Sequence, residues 1–292
     1  MDCGRLIVGW RHAALILAAA PALAQPNFDV PYVPTPQVVV DEMLRLAEVS
    51  PSDYLIDLGS GDGRIVIAAA KRFGARGYGV DLDGTLVNNA RREAQRQGVA
   101  GRVEFHARNL FFTDIERASV LTLYLYPRVL MQLRPRLVAE LKPGTRVVSH
   151  DFDLGSWRPD AHVTVAVPDK PHGPPSSEVY LWIVPANAAG TWQWRLAHGG
   201  AVVDYELALQ QTFQVVEGSA RVGGRAGRLE GGKMRGEEIR FILTADVSGR
   251  ALRHEFSGRV SGDAVAGAVK LPGGGDLDWQ GVRTRRGSIE IQ

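Results

Sequence analysis

Asp57-Leu58-Gly59-Ser60-Gly61-Asp62-Gly63-Arg64 lies between an apolar run, Tyr54 to Leu58, and a helical pattern, Arg64 to Phe73. Three glycines spaced G-x-G-x-G at the end of a strand let the backbone turn tightly and bring a ligand against a chain with no Cβ in the way. A dinucleotide fingerprint would place its third glycine one position later, where this chain has Arg64, and a phosphate-binding P-loop would need Gly-Lys-Ser/Thr. The turn is therefore read as a cofactor cradle that does not hold a diphosphate.

On either side, apolar strand-like runs alternate with helical patterns from Thr35 to about Pro185, the signature of βαβ units around a parallel sheet. Thr35-Pro36 reads as an N-cap followed by proline at the first helical position, with Val39, Val40, Met43, Leu44 and Ala47 at helical spacing behind it. Seven strands are predicted: Tyr54–Leu58, Gly77–Val80, Val103–His106, Val120–Tyr126, Arg146–His150, Val163–Val167 and Val179–Val184. Helices are predicted at Arg64–Phe73, Thr85–Gln97, briefly at Asp114–Arg117, and at Arg128–Leu141. The Pro168 to Pro175 loop is too short for a crossover helix, so the last two strands are expected to form an antiparallel hairpin.

After Pro185 the composition changes: 19 of the 33 glycines lie in residues 190–292, but only Pro272 of the 16 prolines. Short alternating segments such as Val203 to Leu207 and Ile239 to Leu243, separated by glycine-rich turns, predict a small antiparallel all-β module, barrel or sandwich. Gly190-Thr191-Trp192 matches the Gly-x-Trp that opens lipocalin-type barrels in three residues only. The reading favours a sandwich in which Trp192 and Trp194 are core or edge aromatics. The expected organisation is thus a leader at 1–24, an α/β domain at 25–185, a linker at 186–189 and the β module at 190–292.

The leader is expected from Arg5 and Arg11 before the apolar run Ala13 to Ala20, then Ala22-Leu23-Ala24 with Gln25 as the new N-terminus. An exported, periplasmic protein follows, with an uncleaved membrane anchor as the alternative. Across all 292 residues, 45% hydrophobic and 23% charged content excludes wholesale disorder and a polytopic membrane protein. A net charge of +2 gives no basic excess from which to argue a nucleic-acid partner. The single cysteine, Cys3, excludes an internal disulfide framework, and no His, Asp or Glu spacing argues for a metal.

Further candidate residues follow the cradle. Asp81 ends the second strand about 20 residues later, where a carboxylate can accept both ribose hydroxyls of an adenosine; the alternative is a helix cap. Leu82 beside it can cover one adenine face. Asn109, after the third strand, can pair with an adenine edge or be an ordinary loop residue.

In this order, these residues resemble class I S-adenosylmethionine-dependent methyltransferases. Pro31-Tyr32-Val33-Pro34-Thr35-Pro36, followed by Leu55 to Lys71, is similar to the ATP synthase c subunit lysine N-methyltransferase family and its bacterial relatives. The resemblance spans about Pro31 to Pro185. It implies a Rossmann-like α/β fold, a seven-stranded sheet with helices on both faces and an antiparallel final hairpin, and S-adenosyl-L-methionine as cofactor. It also implies that Asp57, Gly59, Gly61 and Gly63 line the methionine portion, Asp81 the ribose and Asn109 the adenine, with Tyr32 and Thr35 as a lid. Relatives commonly have Asp where Asn109 stands. The export-like leader and the β module depart from that family, so its specific substrate is not transferred.

An enzyme acting on a lysine of a soluble or membrane-associated protein is the first expectation. Tyr124, Tyr126 and Pro127 end the fourth strand, where nitrogen methyltransferases place their acceptor motif, with Phe152 and Trp157 beyond the fifth. Tyr126 is the first choice to orient the acceptor; Tyr124 and Tyr126 as plain strand aromatics is the alternative. His150 and Asp151 are either a proton-accepting pair or a strand end, and His172 is expected to face solvent. Two alternatives stay open: methylation of a small molecule, and a non-catalytic envelope binding protein on the same scaffold.

Overall fold

Two patterns of apolar residues, helical and alternating, divide the molecule between two sheets. The structure is a computed structural model, and it describes Met1 and residues 32–171, 173–198, 201–247, 250–272 and 275–291. Residues 2–24 of the expected leader and His172 lie outside the described residues.

The first half runs α1 (Gln37–Leu46), β1 (Tyr54–Leu58), α2 (Arg64–Phe73), β2 (Arg76–Asp81), α3 (Gly84–Arg96), β3 (Val103–Ala107), β4 (Val120–Leu123), α4 (Pro127–Glu140), β5 (Arg146–His150), β6 (Ala161–Ala166) and β7 (Ser176–Ile183). The seven strands lie in the order β3-β2-β1-β4-β5-β7-β6. β1 to β5 pair in parallel, while β7 is antiparallel to both β5 and β6. From β1 the chain steps through β2 to β3 in one direction, and from β4 to β5 in the other. Right-handed crossovers therefore put α2 and α3 on one face and α4 on the opposite one. Val39, Val40 and Met43 of α1 share a buried core with Ile65 to Ala70 of α2 and the facing side chains of the sheet.

The expected short helix at Asp114–Arg117 is instead a 3-10 turn at Leu110–Phe112, capped by Asn109, whose Oδ1 accepts from Phe111 N–H at 2.9 Å. β4 ends at Leu123, three residues short of the expected Tyr126. Thr35 does not cap α1: its hydroxyl pairs with His150, and the chain enters the helix through Pro36 without a side-chain cap.

The second half is β8 (Gly190–His198), β9 (Ala201–Thr212), β10 (Val215–Val222), β11 (Arg225–Arg235), β12 (Glu238–Val247), β13 (Arg250–Ser261), β14 (Ala264–Lys270) and β15 (Asp276–Arg286), with a short β16 (Ile289–Glu290) beside β9. Each of β8 to β15 pairs antiparallel with the next, and β15 returns to pair with β8. The module is a closed barrel, which corrects the expectation of a sandwich: closure leaves no unpaired edge among these eight strands. Its interior is filled. Trp194 stacks on Tyr205 at 5.1 Å and lies 4.9 Å from Trp279, and Phe256 lies 4.9 Å from Phe241 and 5.0 Å from Trp279. All five rings are buried.

The barrel docks away from the glycine turn. The tip of the β9–β10 hairpin carries Phe213, whose ring stacks on Trp157 at 5.4 Å and 3°, and Gln214, which donates to the Arg158 carbonyl at 2.6 Å. Ala186 N–H donates to the Gly236 carbonyl, and a Cβ on Gly236 would stand 3.2 Å from Gly144. Gly144 and Ile183 sit where the parallel strands begin, whereas the glycine turn sits where they end. The connecting residues Ala186, Ala188 and Ala189 are buried, pinned by Gln211, which accepts from Ala188 N–H and donates to the Ala186 carbonyl.

Candidate active site

In an open parallel sheet the crevice lies beyond the carboxyl ends of the strands, where successive connections leave in opposite directions. Here that point is between β1 and β4, and the glycine turn stands over it. Gly59 and Ser60 N–H both donate to the Val80 carbonyl, at 2.9 and 2.8 Å, folding the turn against the end of β2. Gly61 has φ +52°, and a Cβ there would stand 2.4 Å from the Tyr32 ring, so no other residue fits without moving that ring.

Two carboxylates flank the turn in different states. Asp81 Oδ2 accepts from Gly61 N–H at 2.9 Å and Oδ1 from Asp83 N–H at 3.0 Å. Each oxygen retains a lone pair for a further donor. Asp81 is not the cap of α3, because Asp83 takes that role through Thr85 and Leu86 N–H. Asp57 is buried beneath the turn and accepts from Thr122 Oγ1 at 2.8 Å. Burial pushes its carboxyl up to about 7 against the Thr122 bond, and the charges of Asp81 and Asp62 push the same way. A cation placed beside it would draw the proton off.

Asn109 spends its carbonyl oxygen on its own turn, which leaves its amide N–H groups as donors. Leu82, just after β2, and Phe112, in the 3-10 turn that follows β3, are exposed apolar side chains. Tyr32 lies across Gly61, and burial, followed by the neighbouring Asp62, pushes its phenol up to about 12. Arg64 fixes this segment from below: it forks onto Asp62 and donates to the Thr35 carbonyl at 2.8 Å.

Across the crevice the chain leaving β4 forms an aromatic wall. Tyr124 is stacked with Phe152 at 6.4 Å, and Tyr126, which precedes Pro127 at the start of α4, lies 6.2 Å from the same ring. Tyr124 also packs on His150, with ring centroids 3.9 Å apart. His150 and Asp151 are not a free proton-accepting pair. Burial lowers the imidazole to about 4, and both ring nitrogens are engaged, Nδ1 with Thr35 Oγ1 at 3.2 Å and Nε2 with Ser177 Oγ at 3.0 Å. Asp151, in the left-handed region at φ +62°, accepts from Lys170 Nζ at 2.8 Å and from Glu178 N–H at 3.0 Å. Trp157 stands apart from this wall, in the barrel interface.

The turn, Asp57, Asp81, Asn109, Tyr32, Thr35 and Tyr126 thus all sit at one edge of the sheet. The sequence profile of the ANTKMT methyltransferase domain matches residues 57–161, which hold most of that edge. The chain is 42% identical over 156 residues to a protein-lysine N-methyltransferase of Saccharolobus islandicus, covering 53% of this chain and 94% of the relative. The chain belongs to this family of class I S-adenosylmethionine-dependent methyltransferases. It is also 33% identical to the ATP synthase c subunit lysine N-methyltransferase of Xenopus laevis, over 53% of this chain and 68% of that one. A solved structure named as an RNA methyltransferase from Salinibacter ruber, in complex with S-adenosyl-L-homocysteine, is 53% identical over 52% of this chain and 94% of that one, with a TM-score of 0.48. The profile lies within the parallel-sheet half and stops before the barrel. Membership makes the chain an enzyme, as expected, rather than the non-catalytic binding protein kept as an alternative.

The residues present suit S-adenosylmethionine. The turn offers backbone without side chains, Asp81 has acceptor capacity left, and Asp57 is an acid that a nearby ammonium would ionise. Arg64, the cation at the end of the turn, is committed to Asp62 and the Thr35 carbonyl rather than to a phosphate. Among the described residues no group of three or more His, Cys, Asp or Glu could hold a metal ion.

Proposed function

We propose that this methyltransferase acts on the side-chain amine of protein lysine. The observation that carries the reading is the pairing, across one crevice, of a glycine turn facing Asp81 with a wall of Tyr124, Tyr126 and Phe152. The names of the relatives support lysine as the acceptor. In this reading Asp57, Gly59, Gly61 and Gly63 line the methionine portion of the cofactor. Asp81 would accept from the ribose hydroxyls, Asn109 would meet the adenine edge with Leu82 beside it, and Tyr32 with Thr35 would form the lid.

When bound, the cofactor supplies an electrophilic methyl group on a sulfonium sulfur. The chain then has to align an amine with that carbon and keep water out, and no covalent residue is needed. A lysine amine must first lose its proton, which at pH 7 costs roughly 4.6 kcal/mol from a reference pKa near 10.4. The aromatic wall lowers that cost by disfavouring the ammonium through desolvation. Tyr126, partly exposed at the mouth, orients the amine. His150 does not take its proton, being buried and bonded on both nitrogens.

The test is to incubate the full chain with cofactor labelled in its methyl group and with soluble and membrane fractions. The expected result is label in protein that hydrolyses to methylated lysine. Label only in an extractable product would favour the small-molecule reading, label only in RNA a nucleic-acid acceptor, and either overturns the proposal.

A further inference from the structure

We infer that His150 is a positioning residue for methyl transfer, a buried link that ties the segment lying over the cofactor cradle to the aromatic wall that receives the acceptor. The inference rests on the lid reading of Tyr32 and Thr35. Three contacts carry it. Thr35, at the end of the short segment that begins with Tyr32, offers its hydroxyl to Nδ1 at 3.2 Å across 115 residues of sequence. Tyr124, which opens the wall, lies with its ring centroid 3.9 Å from the imidazole. On the far side Nε2 meets Ser177 Oγ at 3.0 Å and Asp151 Oδ2 at 3.4 Å.

The chemistry of those partners sets the direction of the link. An ionised carboxylate only accepts, so the Nε2 edge facing Asp151 carries the hydrogen and Nδ1 is left as an acceptor. Thr35 Oγ1–H then donates to Nδ1. Asp151 is itself held by Lys170 Nζ and Glu178 N–H, so the base of the link does not swing. Above it, the Thr35 carbonyl takes Arg64, which is forked onto Asp62 beside Gly61. One imidazole therefore touches both halves of the crevice, and movement of the Tyr32–Thr35 segment is passed to Tyr124 through a ring with no slack around it.

The experiment uses the full chain and S-adenosylhomocysteine as the probe, with Thr35→Val, His150→Phe and the double variant. Thr35→Val removes the hydroxyl at constant shape, and His150→Phe keeps a ring under Tyr124 without the acceptor. Each single variant is expected to weaken probe binding about fivefold, the scale of one hydrogen bond, and the double variant no further than either single one. Hydrogen exchange supplies the second readout: in the wild type the probe should slow exchange both at residues 33–37 and at 124–128, and in Thr35→Val only at the cofactor side. Thr35→Val keeps the test open if His150→Phe does not fold. Additive losses, or protection at 124–128 that persists in Thr35→Val, would overturn the link. Failure of the wild type to bind the probe would instead remove the underlying reading of the cofactor site.

Discussion

The two sheets of this molecule solve the same packing problem with opposite results. The parallel sheet is open: its strands end in a crevice bordered by a glycine turn, a buried acid and an aromatic wall. The barrel is closed on itself, and five aromatic rings occupy its inside. The open sheet can bind because part of its surface is left unpacked, and the closed one is stable because its interior is full. The barrel also docks where the parallel strands begin, so it neither covers the crevice nor lines it.

That contrast can be broken most severely from the barrel. Trp194→Ala removes the ring at the centre of its core and is expected to cost about 4 kcal/mol in denaturant unfolding. Affinity for S-adenosylhomocysteine should stay within about twofold, since the barrel docks at the opposite end of the parallel strands; a matching loss of affinity would merge the two regions. Phe213→Ala tests their junction. Loss of the stack on Trp157 is expected to cost about 3 kcal/mol and to split one unfolding transition into two. A single transition at the original midpoint would mean that the stack does not join them.

Smaller effects sharpen the open side. Asp81→Ala should weaken cofactor binding by about 2 kcal/mol, the scale of hydrogen bonds to a charged group, as read by calorimetric titration. A further test of the open side is in pH. Asp57 keeps its proton up to about 7 in the folded chain, whereas an unfolded carboxyl ionises near 4. Stability therefore falls as pH rises from about 4 to 7, and Asp57→Asn should raise the melting temperature above pH 7. A bound ammonium favours the ionised form, so binding should release a proton and tighten as pH rises through 7. Calorimetry in buffers of different ionisation heat reads this directly, and no proton release at pH 6.5 would contradict it.

What is legible in the sequence follows the range of the contacts involved. The seven strands, the helices other than the one expected at Asp114–Arg117, and the glycine turn are written locally, in periodicity and in residues such as Gly63 and Gly74 at helix ends. The place of Asp81 at the strand end beside the turn is legible because the spacing from turn to strand end is set by one βαβ unit. Thr35 has the local pattern of a cap, but its real partner, His150, is 115 residues away. Strand propensity extends β4 through Tyr124 to Tyr126, yet proline at 127 starts a helix and Tyr124 turns onto His150. Alternation in the second half predicts antiparallel strands correctly. Whether they close depends on β15 finding β8, a pairing that spans the whole module and leaves no local mark. His150 stands out in the sequence only as a candidate proton acceptor, because nothing local places Ser177 and Lys170 around it.

The most direct test of the central claim, that the crevice between the glycine turn and Asp81 is the cofactor site, is a calorimetric titration of S-adenosylhomocysteine into the full chain and its Gly61→Val variant. One saturable site in the wild type, lost when a side chain is forced against Tyr32, is the expected result. Binding that survives in the variant with the same affinity, or none in the wild type, would contradict it.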